Sequence, residues 1–83
     1  MAQTIGEFLE SYLVENGLFE DEAHEVTKQY KASTHANMQQ RWNDSIDGYS
    51  KPLLAVLLLS VRRIAVEWID EHAPKHFARK MFV

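Results

Sequence analysis

His72 and His76 stand four residues apart, the spacing that sets two imidazoles on one helical face for zinc, with Glu71 beside them. Pro74 lies between the two. It disfavours continuous helix there, and no third or fourth ligand is near in sequence, so helix-end histidines rather than a metal centre are expected. His24 and His35 read as solvated polar residues. Ser45, flanked by Asp44 and Asp47, has the residue types of a nucleophile and a base. A hydrolytic site also needs oxyanion donors and a strained turn to present the serine, and a chain with only three glycines holds no glycine-rich loop for that or for a phosphate. The expectation is therefore no catalytic residue, no metal, no cofactor and no enzymatic activity.

Two charged regions offer binding chemistry instead. Lys75, His76, Arg79 and Lys80, extended by Arg62 and Arg63, form a cationic cluster, and Phe77 and Phe82 are available for stacking, which is the mix that holds nucleotides or phosphates. A plainer reading of the same segment is an amphipathic tail, 75–83, whose Phe77, Met81 and Phe82 cover the core while the charges stay in water. The second region is acidic. Before Lys28 stand seven acids (Glu7, Glu10, Glu15, Glu20, Asp21, Glu22, Glu25) and no Lys or Arg, a balance of −7, whereas the chain from Thr27 onward carries +4 and the whole carries −3. Such an acidic surface is either a solvated helix face or an imitation of a nucleic-acid backbone that occupies a basic partner. Direct DNA binding is not expected from a chain of net negative charge whose longest helix is too apolar to lie in a groove.

Eighty-three residues make one domain with a modest core. The chain has no cysteine, which excludes disulfides and thiolate metal sites. Its first residues lack the basic start and apolar run of a signal peptide, and the uncharged stretch from Pro52 to Val61 is shorter than the roughly 18 apolar residues a membrane span needs. A cytoplasmic protein is expected.

The elements that must position these residues are helical, since no stretch alternates β-branched and polar residues. Thr4 followed by Glu7 has the form of a capping box, and Ile5, Phe8, Leu9, Tyr12 and Leu13 form the apolar stripe of a first helix that runs to about Asn16. Gly17 suits the left-handed stop, with Leu18 folding back on Leu13. A second helix begins near Glu20, its early acids and later Lys28 and Lys31 matching the helix dipole, and its buried side is expected to be Phe19, Ala23, Val26 and Tyr30. After a connector over 33–37, Asn37 and Gln40 are expected to cap a short third helix in which Met38, Trp42 and Ile46 recur every fourth residue. Pro52 to Ala73 then reads as one long helix, with Pro52 in its first turn and Pro74 as its stop. The fold class is all-α, a compact bundle of three short helices packed on one long C-terminal helix.

That long helix is apolar on more than one side. Leu57, Val61, Ile64 and Trp68 suit the domain core. Ala55, Leu59 and Val66 widen the apolar arc beyond it, and the shorter helices are too few to cover both sides. A homo-oligomer is expected, most simply a two-fold dimer in which Ala55, Leu59 and Val66 meet their copies and Arg62 and Arg63 reach acids at the rim.

The pattern Phe8-Leu9, Tyr12-Leu13, Gly17-Leu18-Phe19, Arg41-Trp42, Tyr49, Trp68-Ile69-Asp70, Pro74 and Met81-Phe82 resembles small accessory proteins encoded by tailed phages and prophages. The resemblance spans nearly the whole chain. It implies a protein that works by binding, including neutralisation of host defence proteins or of their nucleotide signals. The expected function is thus a non-enzymatic, self-associating helical binding protein that modulates a host or defence process. The alternatives are sequestration of an anionic nucleotide by the basic cluster and acidic inhibition of a nucleic-acid-binding protein.

Overall fold

The structure, a computed structural model, describes residues 3–72. Four α-helices follow one another: α1 (Ile5–Glu15), α2 (Glu20–Ser33), α3 (Ala36–Gln40) and α4 (Lys51–His72), with a single 3-10 turn at Ile46–Gly48 before α4. No strand occurs among the described residues, and the all-α bundle on a long C-terminal helix is what the periodicities require. At 22 residues α4 extends about 33 Å, which nearly fills the longest dimension of 36 Å.

The start of α1 is closed on every side. Thr4 caps it, its hydroxyl accepting the Glu7 N–H at 3.2 Å while its own N–H donates to Glu7 Oε1 at 3.0 Å. The amides of Ile5 and Gly6 donate to the carbonyls of Asp44 and Trp42, at 3.0 and 3.2 Å, and Phe8 N–H reaches the Thr4 carbonyl. All the amides that a helix start leaves open are thereby satisfied from within the chain, so this end offers no anion site. The loop after α3 supplies two of those acceptors, and Ile46 N–H returns a bond to the Gln3 carbonyl at 3.0 Å.

Gly17, at φ 110°, ends α1 as expected. Gly17 N–H bonds the Val14 carbonyl and Leu18 N–H bonds the Leu13 carbonyl, each at 3.1 Å, and Leu18 is buried beside Leu13. Entry into α2 is set by Phe19 N–H donating to Glu22 Oε1 at 2.9 Å. Within α2 the buried Thr27 turns its hydroxyl onto the Ala23 carbonyl, and Glu10 Oε1 of α1 lies 3.5 Å from the same hydroxyl.

Three details depart from the sequence reading. Phe19, expected on the buried side of the second helix, is 60% exposed, because it stands before the first turn as the cap of α2. The third helix spans only five residues, Ala36–Gln40, so Trp42 and Ile46 are not on it; Trp42 follows the helix and Ile46 opens the 3-10 turn. Its first cap is His35 rather than Asn37, and Gln39 Nε2 ties it to α2 through the Lys31 and Thr34 carbonyls, both at 3.1 Å. The fourth helix begins one residue earlier than Pro52, after Ser50, whose carbonyl accepts Leu54 N–H at 3.0 Å. Pro52 still falls in the first turn, where it has no amide proton to waste.

The core lies between α1, α2 and one face of α4. Ile5, Leu9, Leu13 and Leu18 meet Val26, Tyr30, Leu57, Val61, Ala65, Trp68 and Ile69 in a single cluster, which also includes Trp42. Both tryptophans therefore share one core. Each aliphatic side chain so buried contributes on the order of 1.5–3 kcal/mol. Among the described residues no helix is long and apolar enough to cross a membrane.

Candidate functional site

On α4 the side chains turned inward and outward divide by angle. Leu57, Val61, Ala65, Trp68 and Ile69 are buried. Pro52, Val56, Leu59, Arg63, Val66 and Asp70 are all exposed, and at 100° per residue they centre about 180° from the buried set. Leu59 is 64% exposed and Val56 56%, against 0% for Val61. These are large apolar side chains left in water on the side facing away from the domain's own core.

The exposed set steps by four, three, four, three and four residues, the repeat of a helix that packs along another helix. Ala55 and Arg62 flank the row on one side, Leu53 and Glu67 on the other, all exposed. Shallow grooves run beside it, one of about 650 Å³ lined by Leu59, Arg62, Arg63, Val66 and Glu67, and one of about 310 Å³ where Tyr30 and Ser33 of α2 approach Leu59, Arg63 and Ile64. Ser60, which lines the smaller groove, returns its hydroxyl to the Val56 carbonyl at 2.9 Å and offers the surface little polarity.

Ala55, Leu59 and Val66 thus lie together on one accessible face, with Arg62 and Arg63 beside them. Leu53 and Val56 are exposed as well. Val56 belongs to the row and Leu53 flanks it, and the signal for Val56 lies in the four-three spacing that runs from Pro52 to Asp70. Of the cationic cluster only Arg62 and Arg63 are described; Lys75, His76, Arg79 and Lys80, with the basic tail at 75–83 and the stop at Pro74, lie outside the described residues.

The remaining candidates are held by local structure. Ser45 Oγ accepts the Asp47 N–H at 3.2 Å and so serves as the cap of the 3-10 turn. His72 Nδ1–H donates to the Trp68 carbonyl at 2.9 Å and its ring stacks on the indole at 4.2 Å. Among the described residues no three His, Cys, Asp or Glu side chains gather as a metal site. The acids do gather. Glu7, Glu10, Glu15 and Glu20 line a groove of about 590 Å³ between α1 and α2, where Glu10 Oε1 meets His24 Nδ1 at 2.7 Å. Glu7 is held below its ordinary value of 4.5 by the backbone and side-chain hydrogen bonds from Thr4.

No protein-family model matches the chain, and no curated protein and no solved structure matches it.

Proposed function

We propose that the chain is a non-enzymatic, self-associating helical protein that acts by binding, a phage accessory factor that modulates a host or defence process. The observation that carries the self-association is the row of exposed apolar residues on α4, above all Leu59 at 64% exposure, set opposite the domain core. A row of that kind is covered in a working protein by another apolar surface. The phage context rests on the resemblance in aromatic anchors, and a gene neighbourhood of phage functions is its check. Light scattering tests the association: a species of twice 9.6 kDa at tens of micromolar protein, persisting in high salt, supports it, and a 9.6 kDa species rejects it.

A second reading has its own observation. Four glutamates line one groove between α1 and α2, which suits an acidic inhibitor that occupies a nucleic-acid-binding protein. Binding of that kind weakens steeply as salt is added, whereas the apolar association does not. The third reading, capture of an anionic nucleotide by Arg62, Arg63 and the basic tail, is tested by calorimetry with nucleotides at low salt.

A further inference from the structure

We propose that the occupant of the outer face of α4 is a second copy of this chain whose α4 runs parallel to the first, the two joined as a short two-stranded coil from Pro52 to Asp70. The proposal rests on the self-association reading and deepens it by fixing the direction of the partner.

The spacing sets up the argument. In a two-stranded coil the seam alternates steps of four and three, and here it reads Pro52, Val56, Leu59, Arg63, Val66, Asp70. Val56 and Leu59 occupy successive seam positions in the order, β-branched and then leucine, that favours two parallel strands. Flanking charges then decide direction. Arg62 precedes the seam residue Arg63, and Glu67 follows the seam residue Val66, so they lie on opposite flanks and five residues apart. That is the offset at which the two flanks of parallel helices meet across a seam, and the two-fold axis makes the contact twice, Arg62 to the partner's Glu67 and Glu67 to the partner's Arg62.

Antiparallel helices bring like flanks together instead. One flank would then place Ala55, Arg62 and Ile69 against their copies, and the other Leu53, Ser60 and Glu67. Neither offers an opposite charge. The parallel arrangement has a cost, since Arg63 and Asp70 each meet their own copies at the seam. Charged seam residues lower stability while fixing register and strand number, and the arginine stem still covers apolar surface as its head turns out to water.

The chain has no cysteine, so one introduced thiol reports alone. In a parallel seam Leu59 and Val66 each face their own copy. In any antiparallel seam at most one of them does, because a centre placed at one leaves the other pair about 21 Å apart. The test is oxidation of Leu59→Cys and Val66→Cys as separate full-length variants, both at exposed positions that leave the core intact. Disulfide-linked dimers from both are expected, as is dissociation that is several-fold easier in Glu67→Arg and restored when Arg62→Glu is added. Arg63→Leu should tighten association. A dimer by light scattering that links through one site only, or through neither, overturns the parallel seam and leaves self-association standing. A monomeric wild type overturns both.

Discussion

Any side chain at Gly6 collides with Trp42: a Cβ there falls 2.5 Å from the indole Nε1, and the backbones of the same two residues are joined by the Gly6 N–H to Trp42 carbonyl bond at 3.2 Å. This close approach is how the loop after α3 seats itself on the start of α1. The indole has little room to retreat, being buried, packed edge-on against Tyr30 at 5.9 Å and covered by the Lys31 ammonium.

Gly6→Ala should therefore destabilise the domain although alanine is the better helix former. Overpacking a filled site costs about 1–3 kcal/mol, and the propensity gain in a helix offsets at most about 1 kcal/mol. A net loss of up to about 2 kcal/mol is expected from these opposing terms. Thermal unfolding measures it, and tryptophan emission should shift to the red as Trp42 is displaced. A variant as stable as the wild type, with unchanged emission, would mean that the indole does not lie over Gly6.

Trp68 has the opposite role, a large side chain whose loss leaves a void between α4 and its neighbours. Trp68→Ala should cost on the order of 3–5 kcal/mol, a large share of the roughly 5–15 kcal/mol that holds a domain together. Trp68→Phe should cost far less, because the buried indole N–H has no hydrogen-bond partner among the described residues and its removal relieves an unsatisfied donor. Denaturant midpoints for the two variants decide this. Equal losses would show that the ring's packing is not what matters.

The helices were legible in the sequence wherever local chemistry decides them. Thr4 and Glu7 announce the start of α1, and Gly17 with Leu18 announces its end, because each needs partners only a few residues away. The placement of Trp42 was not legible in this way. A four-residue recurrence of Met38, Trp42 and Ile46 imitates a helical stripe, yet the chain leaves the helix after Gln40 so that the Trp42 and Asp44 carbonyls can cap α1, a contact between segments almost forty residues apart. On α4 the outer row could be read from spacing alone. Its separation from the core-facing row depended on knowing which side α1 and α2 occupy, and only the packed bundle supplies that.

The same capping box makes stability depend on acid. Ionised Glu7 accepts the Thr4 N–H, which holds its carboxyl below the ordinary value of 4.5. A carboxyl depressed in the folded state contributes its full stability above the unfolded value, and that contribution is lost as pH falls through the folded one. Stability should thus be insensitive to this group near neutrality and should decline below about pH 4.5. Glu7→Gln should flatten that part of the acid limb, while Thr4→Ala, which removes the hydroxyl acceptor, should cost about 1 kcal/mol at neutral pH. Titration of the Glu7 carboxyl by NMR gives the direct check; a midpoint at or above 4.5 contradicts the capping role.

Leu57 and Leu59 stand two residues apart on α4 and should respond oppositely to the same substitution. Leu57 is 6% exposed and packs into the core, whereas Leu59 is 64% exposed on the far side of the helix. Leu57→Glu puts a carboxylate among apolar side chains with nothing to pair it, a cost of several kcal/mol that should leave the chain unfolded or aggregated. Leu59→Glu adds a charge already in water within the single domain, so circular dichroism should report a helical fold within about 0.5 kcal/mol of the wild type. What it should lose is association, because two carboxylates would replace the apolar contact of Leu59 with its copy at the seam. Light scattering on Leu59→Glu should then give the mass of one chain. If instead Leu59→Glu unfolds as Leu57→Glu does, residue 59 lies inside the domain and the outer face of α4 is not a surface at all. If it folds and still associates, the seam lies elsewhere on the molecule.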